Sequence, residues 1–192
     1  MEDKYKAWAD MEQEEISLHN IRPVYEPGPV KLFRMVTDDQ GRTIVSKDKY
    51  LFVDQFNNGL ARAQDKVTGK WGFIDRHGNE VIPCVWKGLG DYSEGLMGAR
   101  NDDDRCGYIN ASGELVIPCQ WKEVWPFQEG LAIVMDFNNL LGYVNHNGEV
   151  VIPPIWKKAT NFENGIAIVS NSKRFLLWDK WVCINTKGEI VE

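Results

Sequence analysis

One phrase is written three times in this chain, and the interval between its copies limits the fold more than any other feature. The copies are "WGFIDRHGNEVIPCVW" (71–86), "CGYINASGELVIPCQW" (106–121) and "LGYVNHNGEVVIPPIW" (141–156), so each starts 35 residues after the last. A second phrase follows nearly the same interval, as "FNNGLARA", "YSEGLMGA", "FQEGLAIV" and "FENGIAIV" from residues 56, 92, 127 and 162. Regular self-similarity of this kind indicates one structural unit repeated along the chain.

Each unit is predicted to consist of β-strands. The first phrase contains two apolar segments separated by a turn with glycine, as at Asn147-Gly148. Glycine there supplies the positive φ that a tight hairpin requires. The second phrase supplies a third strand, and no helical periodicity interrupts the units. We therefore predict antiparallel three-stranded meanders of about 35 residues.

The ends of the array are less regular. "RMVTDDQGRTIVSKDKY" (34–50) is a worn copy, and "WVCINTKGEIVE" (181–192) restarts the first phrase. Before them, "DKYKAWADMEQEEISLHN" has the apolar spacing of one amphipathic helix, and "RPVYEPGP" (22–29) ends it. This predicts an N-terminal helix and Pro-rich connector over 1–33, acting as a cap or a docking element. Residues 34–192 form the repeat array of a single domain.

A three-stranded unit cannot bury its own apolar face, so copies must stack. We expect an all-β repeat in which the units stack as an open, twisted array with one N-terminal helix. The alternative is closure into a barrel- or propeller-like arrangement.

Charge and composition restrict the partners. The formal net charge is -6 and no Lys/Arg-rich run occurs, which argues against nucleic acid and favours a basic protein. No apolar stretch approaches the length that spans a bilayer, and the N-terminus lacks the apolar core of a secretory signal. Four cysteines without a C-x-x-C pair fit reduced thiols, so we expect a cytoplasmic protein with no membrane partner.

No catalytic, cofactor or metal site is predicted. His77 and His146 lie at turns that vary between units, which is typical of solvated residues. Cys84 and Cys119 occupy one slot that Pro154 fills in the third unit, so the slot serves packing. Zinc-ligand spacings, a calcium loop, a phosphate cradle and a nucleophile elbow are all missing. The sequence therefore predicts a protein that is not an enzyme.

A ladder of tryptophans is the main surface candidate. Trp86, Trp121 and Trp156 recur every 35 residues, and each is followed by a lysine: Lys87, Lys122 and Lys157. Stacking aligns equivalent positions, so the ladder could grip a partner or close the core between repeats. Trp125 lies in a connection, where an exposed aromatic residue is a candidate contact. These seven residues form the predicted partner-binding set.

The two phrases together resemble the WG-repeat family, named after a Trp-Gly pair that is present here as Trp71-Gly72. Later copies have Cys106-Gly107 and Leu141-Gly142, and the last has Trp181-Val182. The resemblance implies an all-β repeat module, common in bacteria, with no catalytic residues assigned to the repeat and with protein binding in some members.

These observations predict a non-catalytic protein-binding module. A concrete form is an immunity-type or regulatory protein that covers a basic bacterial partner. The alternative is a carbohydrate or cell-wall binder that uses the tryptophan ladder.

Overall fold

A computed structural model describes residues 36–37, 43–45, 48–54, 56, 60–171 and 181–191. The predicted helix and Pro-rich connector over 1–33 lie outside these residues. Within them the protein is all-β, and no helix occurs. The predicted fold class is confirmed at this level.

Within the described ranges, eighteen strands form one short hairpin and four sheets of four strands. The hairpin pairs β1 (Val36–Thr37) with β2 (Thr43–Val45). Sheet one contains β3 (Tyr50–Val53), β4 (Leu60–Asp65), β5 (Trp71–Asp75) and β6 (Glu80–Trp86). Sheet two contains β7 (Gly88–Ser93), β8 (Leu96–Arg100), β9 (Cys106–Asn110) and β10 (Leu115–Trp121). Sheet three contains β11 (Glu123–Val124), β12 (Leu131–Met135), β13 (Leu141–Asn145) and β14 (Val150–Trp156). Sheet four contains β15 (Lys158–Ala159), β16 (Ile166–Ser170), β17 (Trp181–Asn185) and β18 (Ile190–Val191).

Each sheet is an antiparallel meander whose strands pair in chain order, and none of the four closes into a barrel. The prediction of three-stranded units is wrong, because every sheet has four strands. The additional one is the first strand of each sheet: β3, β7, β11 or β15. That strand is only two residues long in sheets three and four. The residues of this first strand do not repeat between sheets, so the recurring phrases of the sequence do not indicate it.

The grouping of the strands also differs from the prediction. The sequence predicts that the segment "GLAIVM" belongs to the same unit as the hairpin before it. In the structure this segment is β12, and it pairs with β13, which follows it. A sequence repeat therefore supplies the last two strands of one sheet and the first two of the next. Because of this offset, each sequence repeat contributes strands to two consecutive sheets.

The hairpins between the third and fourth strands form as the glycines predicted. Gly78, Gly113, Gly148 and Gly188 all have φ near +80°, which a residue with a Cβ adopts at a cost. In the second sheet the Asn110 side-chain oxygen accepts hydrogen bonds from the backbone N–H groups of Ser112 and Glu114, at 2.9 and 3.0 Å. The same turn, stabilised by its own side chain, recurs in all four sheets.

The glycine of the Trp-Gly position has a different role, which is close backbone approach. The fourth strand bulges opposite it, because Tyr108 pairs with Ile117 while Cys106 pairs with Trp121. A Cβ on Gly107 would lie 2.4 Å from the Ile117 carbonyl oxygen. Gly72 and Gly142 meet the equivalent atoms at 2.3 and 2.5 Å. The residue before this glycine differs between the sheets: it is Trp71, Cys106 or Leu141. The bulge, in contrast, requires the glycine itself.

The hydrophobic core lies between consecutive sheets. Ala132, Val134 and Val144 of sheet three pack with Tyr108 and Ile117 of sheet two. The opposite face of sheet three packs on sheet four, and sheets one and two share a third cluster. Sheet three is therefore buried on both faces, as the unbroken burial of β12 and β13 shows.

Candidate functional site

The meander topology gives each sheet two different ends. One, which we call the turn end, holds the connections from first to second strand and the hairpins from third to fourth strand. The other, the ladder end, holds the connections from second to third strand and those between sheets. Because the order of strands is the same in every sheet, equivalent residues collect at the same end.

The tryptophan ladder lies at the ladder end and faces the core. Trp86, Trp121 and Trp156 each close a fourth strand, and they pair across the sheet with Trp71, Cys106 and Leu141, in that order. Trp121 is only 8% exposed, while Trp86 and Trp156 are half-buried against the clusters between sheets. The ladder therefore leaves little ring surface on which a sugar could stack.

Trp125 does not have the exposure expected of a contact residue. It follows the short strand β11 in a connection, as predicted, but it is 6% exposed. Its carbonyl oxygen accepts a 2.8 Å hydrogen bond from the Tyr108 hydroxyl of the preceding sheet. Its indole N–H is buried and has no hydrogen-bond partner within the described part of the chain. Trp125 thus joins two sheets rather than facing solvent.

Two of the three ladder lysines, Lys87 and Lys122, are directed toward neighbouring loops. The Lys87 ammonium lies 2.5 Å from the Asp104 carboxylate and holds the pKa of that carboxyl below its ordinary value. Lys122 donates in the same way to the side chain of Asn139. Asp104 and Asn139 both have positive φ, so the loop geometry is the same in both sheets. These two lysines therefore fasten the connection between second and third strands.

The turn end contains contacts that the sequence did not reveal. The Glu129 carboxylate accepts hydrogen bonds from the backbone N–H groups of Asn164 and Gly165 in the next sheet, at 2.6 and 2.7 Å. Glu94 accepts an equivalent bond from Gly130, at 3.0 Å. Each carboxylate thus stabilises the equivalent turn of the next sheet. The sequence feature that could have indicated these contacts is the recurrence of glutamate directly before glycine, at Glu94-Gly95 and Glu129-Gly130.

His146 is another residue whose surroundings were missed. Its ring stacks on Phe127 with centroids 4.3 Å apart, and its Nε2 lies 3.3 Å from the Glu94 carboxylate. His77, which stands in the first sheet at the turn position that Asn147 has in the third, is exposed as predicted. Since Phe127 is buried, His146 covers a core residue and adds to the contact between sheets two and three.

The two ends differ in charge. In sheets two to four, the described turn-end connections hold six glutamates and one lysine: Glu94, Glu114, Glu129, Glu149, Glu163, Glu189 and Lys187. The described ladder-end connections of the same sheets balance four aspartates with four basic residues: Asp102, Asp103, Asp104, Asp136, Lys87, Arg105, Lys122 and Lys157. The negative charge of the connections in sheets two to four is therefore concentrated at the turn end.

The thiols have the protonation of packing residues. Burial raises the pKa of Cys84 to about 11 and that of Cys106 to about 12, so both are neutral thiols near pH 7. All four cysteines are free. Among the described residues, no group of three or more His, Cys, Asp or Glu side chains could hold a metal ion. The described part of the chain contains no helix that is long and apolar enough to cross a membrane.

These features define an all-β repeat protein built from four-stranded meanders that are joined through their faces. A profile of the WG containing repeat matches residues 71–103, 107–140 and 142–174, which is more than half of the chain. The chain belongs to this family. Each match begins at or one residue after the start of a third strand and ends a few residues after a second strand, so the family's repeat has the same offset from the sheets.

Similarity to solved structures is limited. The computationally designed Ika8 protein aligns with a TM-score of 0.48 and 11% identity, over 80% of this chain and 52% of that one. The WD40 β-propeller domain of Doa1 aligns with a TM-score of 0.35 and 11% identity, over 77% and 51%. The chain thus spans about half the length of these structures. No curated protein sequence matches it.

Proposed function

We propose that this protein is a non-catalytic binding module whose turn end receives a basic protein. The observation that carries the proposal is the difference in charge between the two ends of the sheets. Six glutamates on one end create a negative field, which speeds encounter with a positive surface and orients it.

The repeat architecture supports the same role. A stacked array presents equivalent side chains at regular intervals, which suits a long contact with another macromolecule. The neutral, packed thiols offer no activated nucleophile. In its concrete form the protein is an immunity-type or regulatory partner that covers a basic bacterial protein in the cytoplasm.

We also infer that the four sheets follow one another as an open, twisted array. Each core cluster of the described residues lies within one sheet or between two consecutive sheets. Contacts between sheets one and four would be required for a propeller-like closure. Small-angle scattering of the purified chain separates the two arrangements, since the open array gives the longer maximum dimension.

The test of the binding role is capture from a lysate of the source organism. The full chain is immobilised, washed with increasing salt, and the retained proteins are identified by mass spectrometry. We expect one stoichiometric protein with a basic surface, released as salt screens the contact. A column that retains nothing above background contradicts the proposal.

A matched pair of variants assigns the contact to one end. Glu114→Lys with Glu163→Lys reverses two charges at the turn end, and Asp102→Lys with Asp103→Lys makes the same change at the ladder end. We expect only the first pair to release the captured protein. Equal loss from both pairs would show that net charge, rather than the turn end, governs retention.

A further inference from the structure

Large aliphatic side chains are exposed directly after each hairpin at the turn end. They occupy the first residues of the fourth strands, and each residue is between 40% and 64% exposed. The residues, which we call the aliphatic row, are Val81, Leu115, Val116, Val150 and Ile190. Leu115, Val150 and Ile190 all stand two residues after the hairpin glycine, where sheet one has Glu80, and Val81 and Val116 stand one residue later. Single exposed aliphatic residues are ordinary, but their return at the same place in three sheets is not.

Contacts between sheets make the row continuous. Gly113 of one hairpin lies so close to Ile82 of the preceding fourth strand that an added Cβ would be 3.1 Å from its Cγ2. Gly148 meets Ile117, and Gly188 meets Ile152, in the same way. Each hairpin therefore rests on the fourth strand before it. This brings the starts of consecutive fourth strands, which carry the row, to neighbouring positions along the turn end.

Each hairpin that leads into the row has one carboxylate held by an asparagine amide. The Nδ2 groups of Asn110, Asn145 and Asn185 donate to Glu114, Glu149 and Glu189, at 2.7, 2.6 and 2.8 Å respectively. In the first sheet the two groups are exchanged, since Asn79 donates to Asp75 at 2.9 Å. Every hairpin thus carries one negative charge in a defined place, whichever strand supplies it.

Backbone pairing is a poor way to use this surface. The fourth strand is the edge of each sheet, and sheets one to three carry exposed Pro83, Pro118 and Pro153 in it. Proline lacks the N–H that an added strand would require, and the bulge interrupts the edge further. A partner must therefore be recognised through side chains.

We propose that the aliphatic row and its hairpin carboxylates form one strip that binds an extended basic segment of a partner protein. Lysine or arginine side chains of the segment meet the carboxylates, and its apolar side chains cover the row. Packed sheets are about 10 Å apart. A segment in the extended polyproline II conformation completes a turn about every three residues and advances about 3.1 Å per residue, so basic residues at every third position would face the strip about 9 Å apart. This inference rests on the proposed function and names the surface and the partner's pattern.

The probe is a fluorescein-labelled peptide of about 15 residues that repeats Lys-Leu-Ser, titrated with the full chain by anisotropy. We expect binding at about 50 mM NaCl that weakens at about 300 mM. A peptide with Glu in place of Lys should not bind. The critical variant is Glu114→Gln/Glu149→Gln/Glu189→Gln, because glutamine keeps an oxygen for the asparagine amide while removing the charge. We expect it to weaken binding at least about tenfold, since three ion pairs act together.

Two further variants keep the test decisive. Leu115→Ser/Val116→Ser should weaken binding several-fold without changing the salt dependence, while Asp102→Asn/Asp103→Asn at the ladder end should leave it unchanged. Circular dichroism must show that each variant is folded. Binding that survives the triple glutamine substitution overturns the strip, even if lysate capture upholds the proposed function. A wild-type chain that fails to bind the peptide overturns the strip, whereas a failed lysate capture opposes the proposed function separately.

Discussion

At the scale of single residues, the strictest requirement is the glycine before the aromatic residue of the third strand in sheets one to three. In Gly107→Ala the new Cβ would lie 2.4 Å from the Ile117 carbonyl oxygen and 2.8 Å from the Cys119 nitrogen. Both are backbone atoms, so the bulge itself has to move. We expect a loss of about 2–4 kcal/mol of unfolding free energy, measured by urea denaturation.

Gly95→Asn is the control for this substitution. Gly95 has φ of +89° and no atom within 4 Å of an added Cβ, so only backbone preference is tested there. Asparagine tolerates positive φ better than other residues with a side chain, so the cost should be below about 1 kcal/mol. If both variants lose the same stability, steric contact is not what keeps Gly107.

A second prediction at this scale concerns acid stability. Hydrogen bonds from the Asn79 side chain, and then from backbone N–H groups, lower the pKa of Asp75 below its ordinary 3.8. A lowered pKa in the folded state adds stability above the unfolded pKa, and this is lost as pH falls through the folded value. Asp75→Asn should therefore flatten the dependence of the melting temperature on pH between about 5 and 3.

Asn79→Ala is the matching control. It keeps the Asp75 carboxylate and the backbone donors of the turn, and it removes the side-chain amide that donates to Asp75 at 2.9 Å. The pH dependence should become weaker without vanishing, because backbone N–H groups still lower the pKa of Asp75. A variant that keeps the full wild-type dependence would show that the side-chain hydrogen bond within the hairpin is not the main cause.

At the scale of elements, hydrogen bonds from tyrosine join one sheet to the next. The Tyr143 hydroxyl donates to the Thr160 carbonyl oxygen at 2.7 Å, and burial raises the pKa of Tyr143 so that it stays protonated. Tyr143→Phe leaves that carbonyl without its donor. We expect a loss of about 1–2 kcal/mol in urea denaturation.

Sheet one shows how this position works without a tyrosine. Phe73 stands there, and the Arg62 guanidinium donates to the Leu89 carbonyl oxygen at 2.8 Å, one residue before the place that Thr160 has in sheet four. No arginine occupies the place of Arg62 in sheet three, where Ile133 stands. Tyr92→Phe is the control, because Tyr92 is exposed and its loss should be within about 0.5 kcal/mol. Equal effects at Tyr92 and Tyr143 would contradict the role of the buried bond.

These elements also show what the sequence could and could not predict. The hairpin glycines and the apolar segments recur, so turns and three strands per repeat were predictable from pattern. The first strands were not, because Glu123–Val124 and Lys158–Ala159 are short and share no residue type. Their position depends on pairing with the strand that follows, which is a tertiary property.

The candidate site was predictable only in part, for a similar reason. The 35-residue interval placed Trp86, Trp121 and Trp156 along one end, but it could not say whether their rings face the core. The acidic turns were visible one residue at a time, as in Glu114 and Glu149. Only the order of the strands shows that they collect at one end, opposite the lysines.

At the scale of the whole molecule, the cores between sheets imply that stability is passed from neighbour to neighbour. Phe162 of sheet four is 1% exposed and packs against Tyr143 of sheet three with ring centroids 4.9 Å apart. It shares no core cluster with sheet one or with the interface between sheets one and two. A repeat array with such contacts can lose one interface while distant sheets stay folded.

Phe162→Ala is the substitution that tests this coupling. It should remove about 3–5 kcal/mol from the interface between sheets three and four. Amide hydrogen exchange, read by mass spectrometry, should then accelerate by at least about a hundredfold in β13 and β16, because a factor of ten in exchange corresponds to about 1.4 kcal/mol. In β5 and β8 we expect little change. The reciprocal substitution Ile74→Val in sheet one should leave β16 protected while it accelerates β5. If either variant accelerates exchange equally in all four sheets, the array opens as one cooperative unit, and coupling between neighbours alone does not describe it.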